Sequence, residues 1–112
     1  MFSILIPTYN NLEYLKICLN SLKNNSYKNH EVIIHINEGS DGTLKYVKEN
    51  DYLHTYSKIN IGLCSALNIA SKLSSKKYIL YSHDDMYFCP GWDEILIKDC
   101  LLYTSPSPRD KT

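Results

Sequence analysis

The chain has 112 residues, 44% of them hydrophobic, with twelve basic and twelve acidic side chains that cancel. That length supports one domain burying roughly two-thirds of its unfolded surface and excludes two such cores. The balanced charge supplies no overall positive field, which argues against nucleic acid or an anionic membrane surface as the partner.

The first apolar run, "FSILIP" (2–7), reads as a strand, and behind it Leu12, Leu15, Cys18, Leu19 and Leu22 form one stripe at helical spacing. Asn10 with Glu13 three residues later predicts a capping pair at that helix start. A second strand, "EVIIHIN" (31–37), leads into a helix from near Asp41 with Leu44 and Val47 facing inward. "YLHTYS" (52–57) is the third strand, followed by a helix from about Ile61 with Leu63, Ala66, Leu67, Ala70 and Leu73 on its inner side. "KYILYS" (77–82) is the fourth strand, and "PGWDEILIKD" starts a further helix with Trp92, Ile95 and Leu96 as apolar positions, a face short of packing partners. Strands alternating with helices, and near-continuously apolar in themselves, predict an α/β fold: a mostly parallel, Rossmann-like sheet with helices on both faces. Such sheets bind ligands at the carboxyl ends of their strands, where "PTYN", "NEGSDGT" and "SHDD" all fall.

The four cysteines, Cys18, Cys64, Cys89 and Cys100, lie far apart with no CxxC pair, so they read as reduced thiols in the core or at the surface. Met1 runs directly into the first strand without a charged leader, and no apolar stretch approaches the roughly 20 residues needed to span a bilayer. A cytoplasmic location without a membrane segment is the expectation.

Adjacent Asp84 and Asp85 are the most informative pair. At an effective dielectric near 20, two carboxylates about 4 Å apart repel by on the order of 4 kcal/mol, a cost that a divalent cation removes. Magnesium and manganese take oxygen ligands, and magnesium is commonly held by one or two carboxylates together with substrate phosphates. The alternative for "DD" alone is a pair of solvated turn acids ahead of Pro90. "NEGSDGT" by itself is an ordinary strand-to-helix turn, with Gly39 and Gly42 for tight backbone and Asp41 to cap the next helix.

Four segments in order, "SILIPTYNNLEYLKICLNSL", "EVIIHINEGSDGT", "NIGLCSALNIA" and "YILYSHDDMYFCPGWDE", together resemble the N-terminal half of a family 2 glycosyltransferase of the GT-A fold. The resemblance spans residues 3 to about 98. It implies that Pro7, Thr8, Tyr9 and Asn10 hold the nucleotide's base and ribose, with Tyr9 stacking on the base or else a partly buried aromatic at the helix entrance. Where relatives carry a pair of aspartates after the second strand, this chain has Asn37 and Glu38; Glu38 can still accept a hydrogen bond from a base. Asn60 and Gly62 fall near the nucleotide, while Ala66 and Asn68 pack or cap. His83-Asp84-Asp85 stands where the family has its DxD motif, which makes Asp85 the metal ligand and Asp84 a ribose-binding or supporting acid. For His83 the choice lies between manganese ligation and a hydrogen bond to backbone, and His30, His35 and His54 show no ligand spacing.

What the resemblance implies is transfer of a sugar from a nucleotide diphosphate sugar to an acceptor hydroxyl of a glycan, lipid or protein, assisted by manganese or magnesium, usually with inversion. The family places its acceptor pocket and catalytic base downstream of residue 99. The donor-binding domain is thus expected over 1–99. The aperiodic "CLLYTSPSPRDKT" resembles translated sequencing-adapter read-through, so residues 100–112 are expected to be a non-native or disordered tail. Two other classes stand beside this one. A receiver-like domain would carry its acid pair after the first strand, where "PTYN" stands, and a nucleotide-binding module without catalysis would share the donor site alone. Neither GxGxxG nor a P-loop string occurs.

Overall fold

The computed structural model describes residues 2–94 together with 96 and 97. Seven elements alternate along the chain: β1 (Phe2–Tyr9), α1 (Leu12–Asn25), β2 (Glu31–Asn37), α2 (Thr43–Glu49), β3 (Leu53–Ser57), α3 (Leu63–Ser71) and β4 (Tyr78–Tyr81). The strands form one sheet in the order β3-β2-β1-β4, and every pairing is parallel. This is the expected α/β architecture, with helices on both faces. Ile and Leu dominate β1 and β2 because both faces of these central strands are covered.

Alternation along the strands sorts the core into two layers. On one face Phe2, Ile4, Ile6, Ile34 and Ile36 meet Leu15, Cys18, Leu19 and Leu22 of α1 and Val47 of α2. On the other, Leu5 and Ile33 pack against Ala70 of α3. A fully buried Ile or Leu contributes about 1.5–3 kcal/mol, so the α1 layer dominates the stability of the fold. The inner side of α3 is narrower than its sequence suggests: Ala66 and Ala70, one turn apart, are buried, whereas Leu63 is 50% exposed and Leu73 41%. The reason is the helix's actual span, since Leu63 opens its first turn and Leu73 lies beyond Ser71 at its end.

The expected capping pair at α1 does not form. Asn10 adopts a left-handed conformation (φ 46°) outside the helix, and the N-cap is Asn11, whose side chain makes no capping bond. The Leu12 amide instead donates to the carboxylate of Asp41, 29 residues away, at 3.0 Å.

After β4 the chain runs back over the sheet to Trp92, where a helical turn begins. Trp92 is not short of partners: it packs against Phe2, His30 and Phe88 and donates its indole N–H to Ser26 Oγ at 2.9 Å. Ile97 is buried and Leu96 is 38% exposed. Ile95 and the expected tail boundary lie outside the described residues. Asp93, fully buried, accepts the amides of Tyr27 (2.7 Å) and Lys28 (3.0 Å) and pairs with His30 Nε2 at 2.6 Å. The Phe2 amide donates to His30 Nδ1 at 3.2 Å, so Nδ1 is the unprotonated nitrogen and Nε2–H is the one that faces Asp93. This linkage fastens the segment following the acidic pair to the amino-terminal end of the sheet.

Burial lowers His30 below its ordinary value of 6.5, outweighing the attraction of Asp93, and burial lowers His35 likewise. Both rings are therefore held neutral in the fold but protonate more readily once unfolded, so their contribution is intact above about pH 6.5 and is lost as pH falls. Thermal denaturation should show a melting temperature that declines from about pH 6.5 towards pH 5. A second decline should set in below about pH 4.5, as Glu31, Asp41 and Asp93, all lowered from their ordinary values, take up protons. A melting temperature unchanged from about pH 7.5 to 5 would contradict this.

Candidate functional site

In the register of the sheet, Tyr9 lies beside Asn37, and Asn37 beside Ser57, so β1, β2 and β3 end together. β4 ends early, with Tyr81 beside Leu5; the Ser82 amide donates to the Leu5 carbonyl at 3.0 Å, and the chain then follows the last turn of β1. That offset brings Asp84 to Thr8, whose hydroxyl donates to Asp84 Oδ2 at 2.8 Å. Thr8 is buried and Asp84 half-buried.

Around this bond opens a cleft of about 430 Å³ lined by Pro7, Thr8, Tyr9, Asn11, Asn37, Asn60, Gly62, Leu63, Tyr81, His83 and Asp84. Six of the residues singled out in the sequence, Pro7, Thr8, Tyr9, Asn60, Gly62 and Asp84, thus come together on its wall. Asn10, Glu38 and Asp85 are not among the lining residues: Asp85 is exposed next to Asp84, while Asn10 and Glu38 sit on the turns above. A second cavity of about 340 Å³, lined by Lys23, Lys28, His30, Tyr52 and neighbours, shares none of these residues.

The two turns carry backbone strain. Glu38 has φ 66° at the tip of a three-residue turn closed by the Gly39 amide on the Asn37 carbonyl (2.8 Å), a conformation costly for a residue with a side chain. Glu38 Oε1 accepts from Ser40 Oγ at 3.1 Å, and Ser40 Oγ accepts from Asn10 Nδ2 at 3.4 Å. Asn10 Oδ1 is buried with no hydrogen-bond partner. Asn37, which with Glu38 stands where the resemblance expects a pair of aspartates, plays a structural part, since its Oδ1 accepts from Ser57 Oγ (3.1 Å) and from the Ile61 amide (3.0 Å), fixing the turn after β3. In that turn Asn60 Oδ1 accepts the Gly62 amide at 2.9 Å.

The His83 ring does not make the hydrogen bond to backbone that was one of its two expected roles. Its Nδ1 lies 3.0 Å from the Tyr81 hydroxyl, with the two rings edge to face at 4.9 Å; the backbone bonds of His83 are made by its carbonyl, which accepts from Ser82 Oγ at 2.9 Å. Tyr81, missed in the sequence, was signalled by its place two residues before His83 on an extended chain, which puts both on one side.

Burial first, and then Asp84 and Asp85, raise the Tyr81 phenol. The buried Cys18 thiol is pushed up to about 11, by burial foremost and by both carboxylates in addition. Asp84 and Asp85 add negative charge to this end of the sheet, and neither carboxylate joins an ion pair among the described residues. Thr8 occupies Oδ2 of Asp84, so the other oxygen of Asp84 and the exposed carboxylate of Asp85 are the hard oxygens here that could hold a magnesium or manganese ion. No group of three or more His, Cys, Asp and Glu gathers into a fuller cage among the described residues.

The profile of glycosyl transferase family 2 matches residues 3–100, and the chain belongs to that family. An uncharacterised glycosyltransferase of Rickettsia prowazekii (strain Madrid E) is 39% identical over 94 residues, covering 79% of this chain and 28% of that protein. Among solved structures, S. aureus TarS 1-349 in complex with UDP superimposes with a TM-score of 0.81 at 23% identity, over 92% of this chain and 32% of that one. The mannosyltransferase PcManGT from Pyrobaculum calidifontis, in complex with GDP-Man and Mn2+, gives 0.70 at 21% identity, over 84% of this chain and 30% of that one. These likenesses establish the fold as GT-A. The chain spans under a third of the length of the curated relatives it matches. None of its helices is long and apolar enough to cross a membrane among the described residues.

Gly39, in the turn after β2, and Gly62, on the cleft wall, separate steric from conformational demands. A Cβ on Gly39 (φ 67°) would meet Ile36 Cγ2 at 2.6 Å, whereas one on Gly62 (φ 84°) would meet nothing within 4 Å. Chemical denaturation should find Gly39→Ala destabilised by roughly 2–4 kcal/mol, from clash and strain together, and Gly62→Ala by about 1–2 kcal/mol from strain alone. Equal losses would refute the distinction.

Proposed function

We propose that the cleft is the donor site of a glycosyltransferase that takes a nucleotide diphosphate sugar and passes the sugar to an acceptor hydroxyl. The observation that carries this reading is the Thr8–Asp84 hydrogen bond, which sets an acidic pair against the turn after β1 in a chain of family 2. The complexes of TarS with UDP and of PcManGT with GDP-Man and Mn2+ support a donor of this class.

In this reading Tyr9, 49% exposed at the strand end, offers its ring to the base, and Asn10 and Glu38 present hydrogen-bonding groups at its edge. Pro7 and Thr8 form the floor of the cleft. Thr8 fixes one oxygen of Asp84 and leaves the other for the ribose or the cation. Gly62, with open space where a side chain would project, admits the donor close to the backbone, and Asn60 shapes that turn through its bond to the Gly62 amide. Asp85 is the principal ligand of the cation, and Asp84 assists. A manganese or magnesium ion bound there would offset the charge developing on the departing nucleoside diphosphate.

The acceptor hydroxyl, relieved of its proton by a general base outside the described residues, attacks the anomeric carbon opposite the leaving group, with inversion. The acceptor is a glycan, lipid or protein hydroxyl. Residues 1–99 are the donor-binding unit in this account, and 100–112 take no part.

Calorimetry of UDP binding tests it. Binding should require manganese or magnesium and vanish with a chelator. Asp85→Ala should abolish the metal-dependent component without lowering the metal-free melting temperature, because removing one of two neighbouring carboxylates relieves repulsion. Chelator-insensitive binding would contradict the metal's role, and a large loss of metal-free stability in Asp85→Ala would make the pair a structural feature.

A further inference from the structure

The turn after β1 and the turn after β2 stand at neighbouring strand ends, yet the sheet's own hydrogen bonding stops at Tyr9 and Asn37. One carboxylate joins them beyond that point. Asp41 Oδ2 accepts the amide of Leu12, the first residue of α1, at 3.0 Å. Its Oδ1 accepts the amide of Thr43, the first residue of α2, at 3.1 Å, and the Thr43 hydroxyl as well. Thr43 is fully buried, so α2 anchors the acid firmly. A single side chain thus serves the first turns of both helices, each of which has unsatisfied amides and a positive dipole end. Burial raises the Asp41 carboxyl, but its hydrogen bonds prevail and hold it below the usual range. It is ionised at neutral pH, where bonds to an anion are at their strongest.

Three further observations tie this bridge to the cleft. Asn10, two residues before Leu12, and Glu38, three before Asp41, are both held at positive φ. They are joined through Ser40 Oγ, a contact that requires the two turns to keep their spacing. Asn10 Oδ1 is left buried without a partner, an acceptor whose position follows the path of the chain between Tyr9 and Leu12.

We propose that Asp41 is a positioning residue which, by clamping the starts of α1 and α2 together, sets the gap between Tyr9 and Asn10 on one turn and Glu38 on the other, into which the base of the nucleotide fits. This rests on the donor-site reading above. Asp41 need not touch the nucleotide; it acts through the two turns. Local capping of α2 alone would need only the Thr43 bonds, so the bond to Leu12 separates a positioning role from a merely structural one.

The test uses two substitutions that keep the local cap while removing the bridge. In Asp41→Ser the hydroxyl can still accept the Thr43 amide but the side chain is too short to serve Leu12 as well. In Asp41→Asn the oxygen can accept from Thr43 while the amide nitrogen opposes the Leu12 N–H, donor against donor. UDP with Mn2+ is the ligand, and amide hydrogen exchange is followed residue by residue. Both variants should exchange the Leu12 amide at least about tenfold faster with Thr43 still protected, and should bind UDP roughly tenfold more weakly, the effect of losing one charge-assisted hydrogen bond from the site's frame. Unchanged UDP affinity alongside an opened Leu12 amide would overturn the positioning role and leave the donor site standing. Leu12 exchange unaltered in both variants would overturn the bridge itself. Failure of the unsubstituted chain to bind UDP would overturn the donor-site reading and, with it, the role assigned to Asp41.

Discussion

The parallel pairing of β2 and β4 to the two edges of β1 determines where everything else in this molecule can be. Because all four strands run the same way, each strand-to-helix turn emerges at the same end of the sheet, and polar residues from four separate stretches of sequence meet there. The offset of β4 adds the decisive detail. Ending beside Leu5 and not beside Tyr9, it releases the chain four residues early, so that Asp84 arrives within hydrogen-bonding distance of Thr8. A register shift of one residue would turn the side chains of β4 to the opposite faces and carry the acidic pair away from the cleft.

The cleft is built from residues whose polar groups are partly committed to one another. Asn37 holds the turn after β3, Asn60 holds the Gly62 amide, Asp41 holds the starts of two helices, and Thr8 holds Asp84. Each of these bonds fixes backbone that would otherwise be free to move, and ordering a residue costs about 1–2 kcal/mol of conformational entropy. Assembling the site before a ligand arrives removes that cost from the binding step. What is left uncommitted, namely the exposed Tyr9 ring, the Asp85 carboxylate and one oxygen of Asp84, is what the proposed donor and cation would meet.

Periodicity made the layers legible in the sequence. Of the stripe Leu12, Leu15, Cys18, Leu19 and Leu22, all but the half-buried Leu12 are buried as spaced, and the continuous apolar character of β1 and β2 correctly implied cover on both faces. The four-segment resemblance supplied the family, and strand order then placed most of the quoted residues on one cleft. What the sequence hid was long-range chemistry. Nothing near Leu12 signals that its cap comes from Asp41, and the local candidate, Asn10 with Glu13, was the wrong one because Asn10 turns left-handed to meet Ser40. The pairing of His30 with the buried Asp93, 63 residues apart, is equally invisible to spacing, as is the contact of Trp92 with Ser26. Helical periodicity also overstated α3, where Leu63 and Leu73 match the stripe but fall at and beyond the helix ends.

Mapping UDP onto the chain by amide chemical-shift perturbation, with Mg2+ as the cation, tests the central claim most directly. The largest shifts should fall at Thr8, Tyr9 and Asn10, at Glu38, at Asn60 to Gly62, and at Asp84 and Asp85, with the cavity around Lys23, Lys28, His30 and Tyr52 unperturbed. Shifts concentrated on that second cavity, or scattered over the surface without dependence on Mg2+, would contradict it.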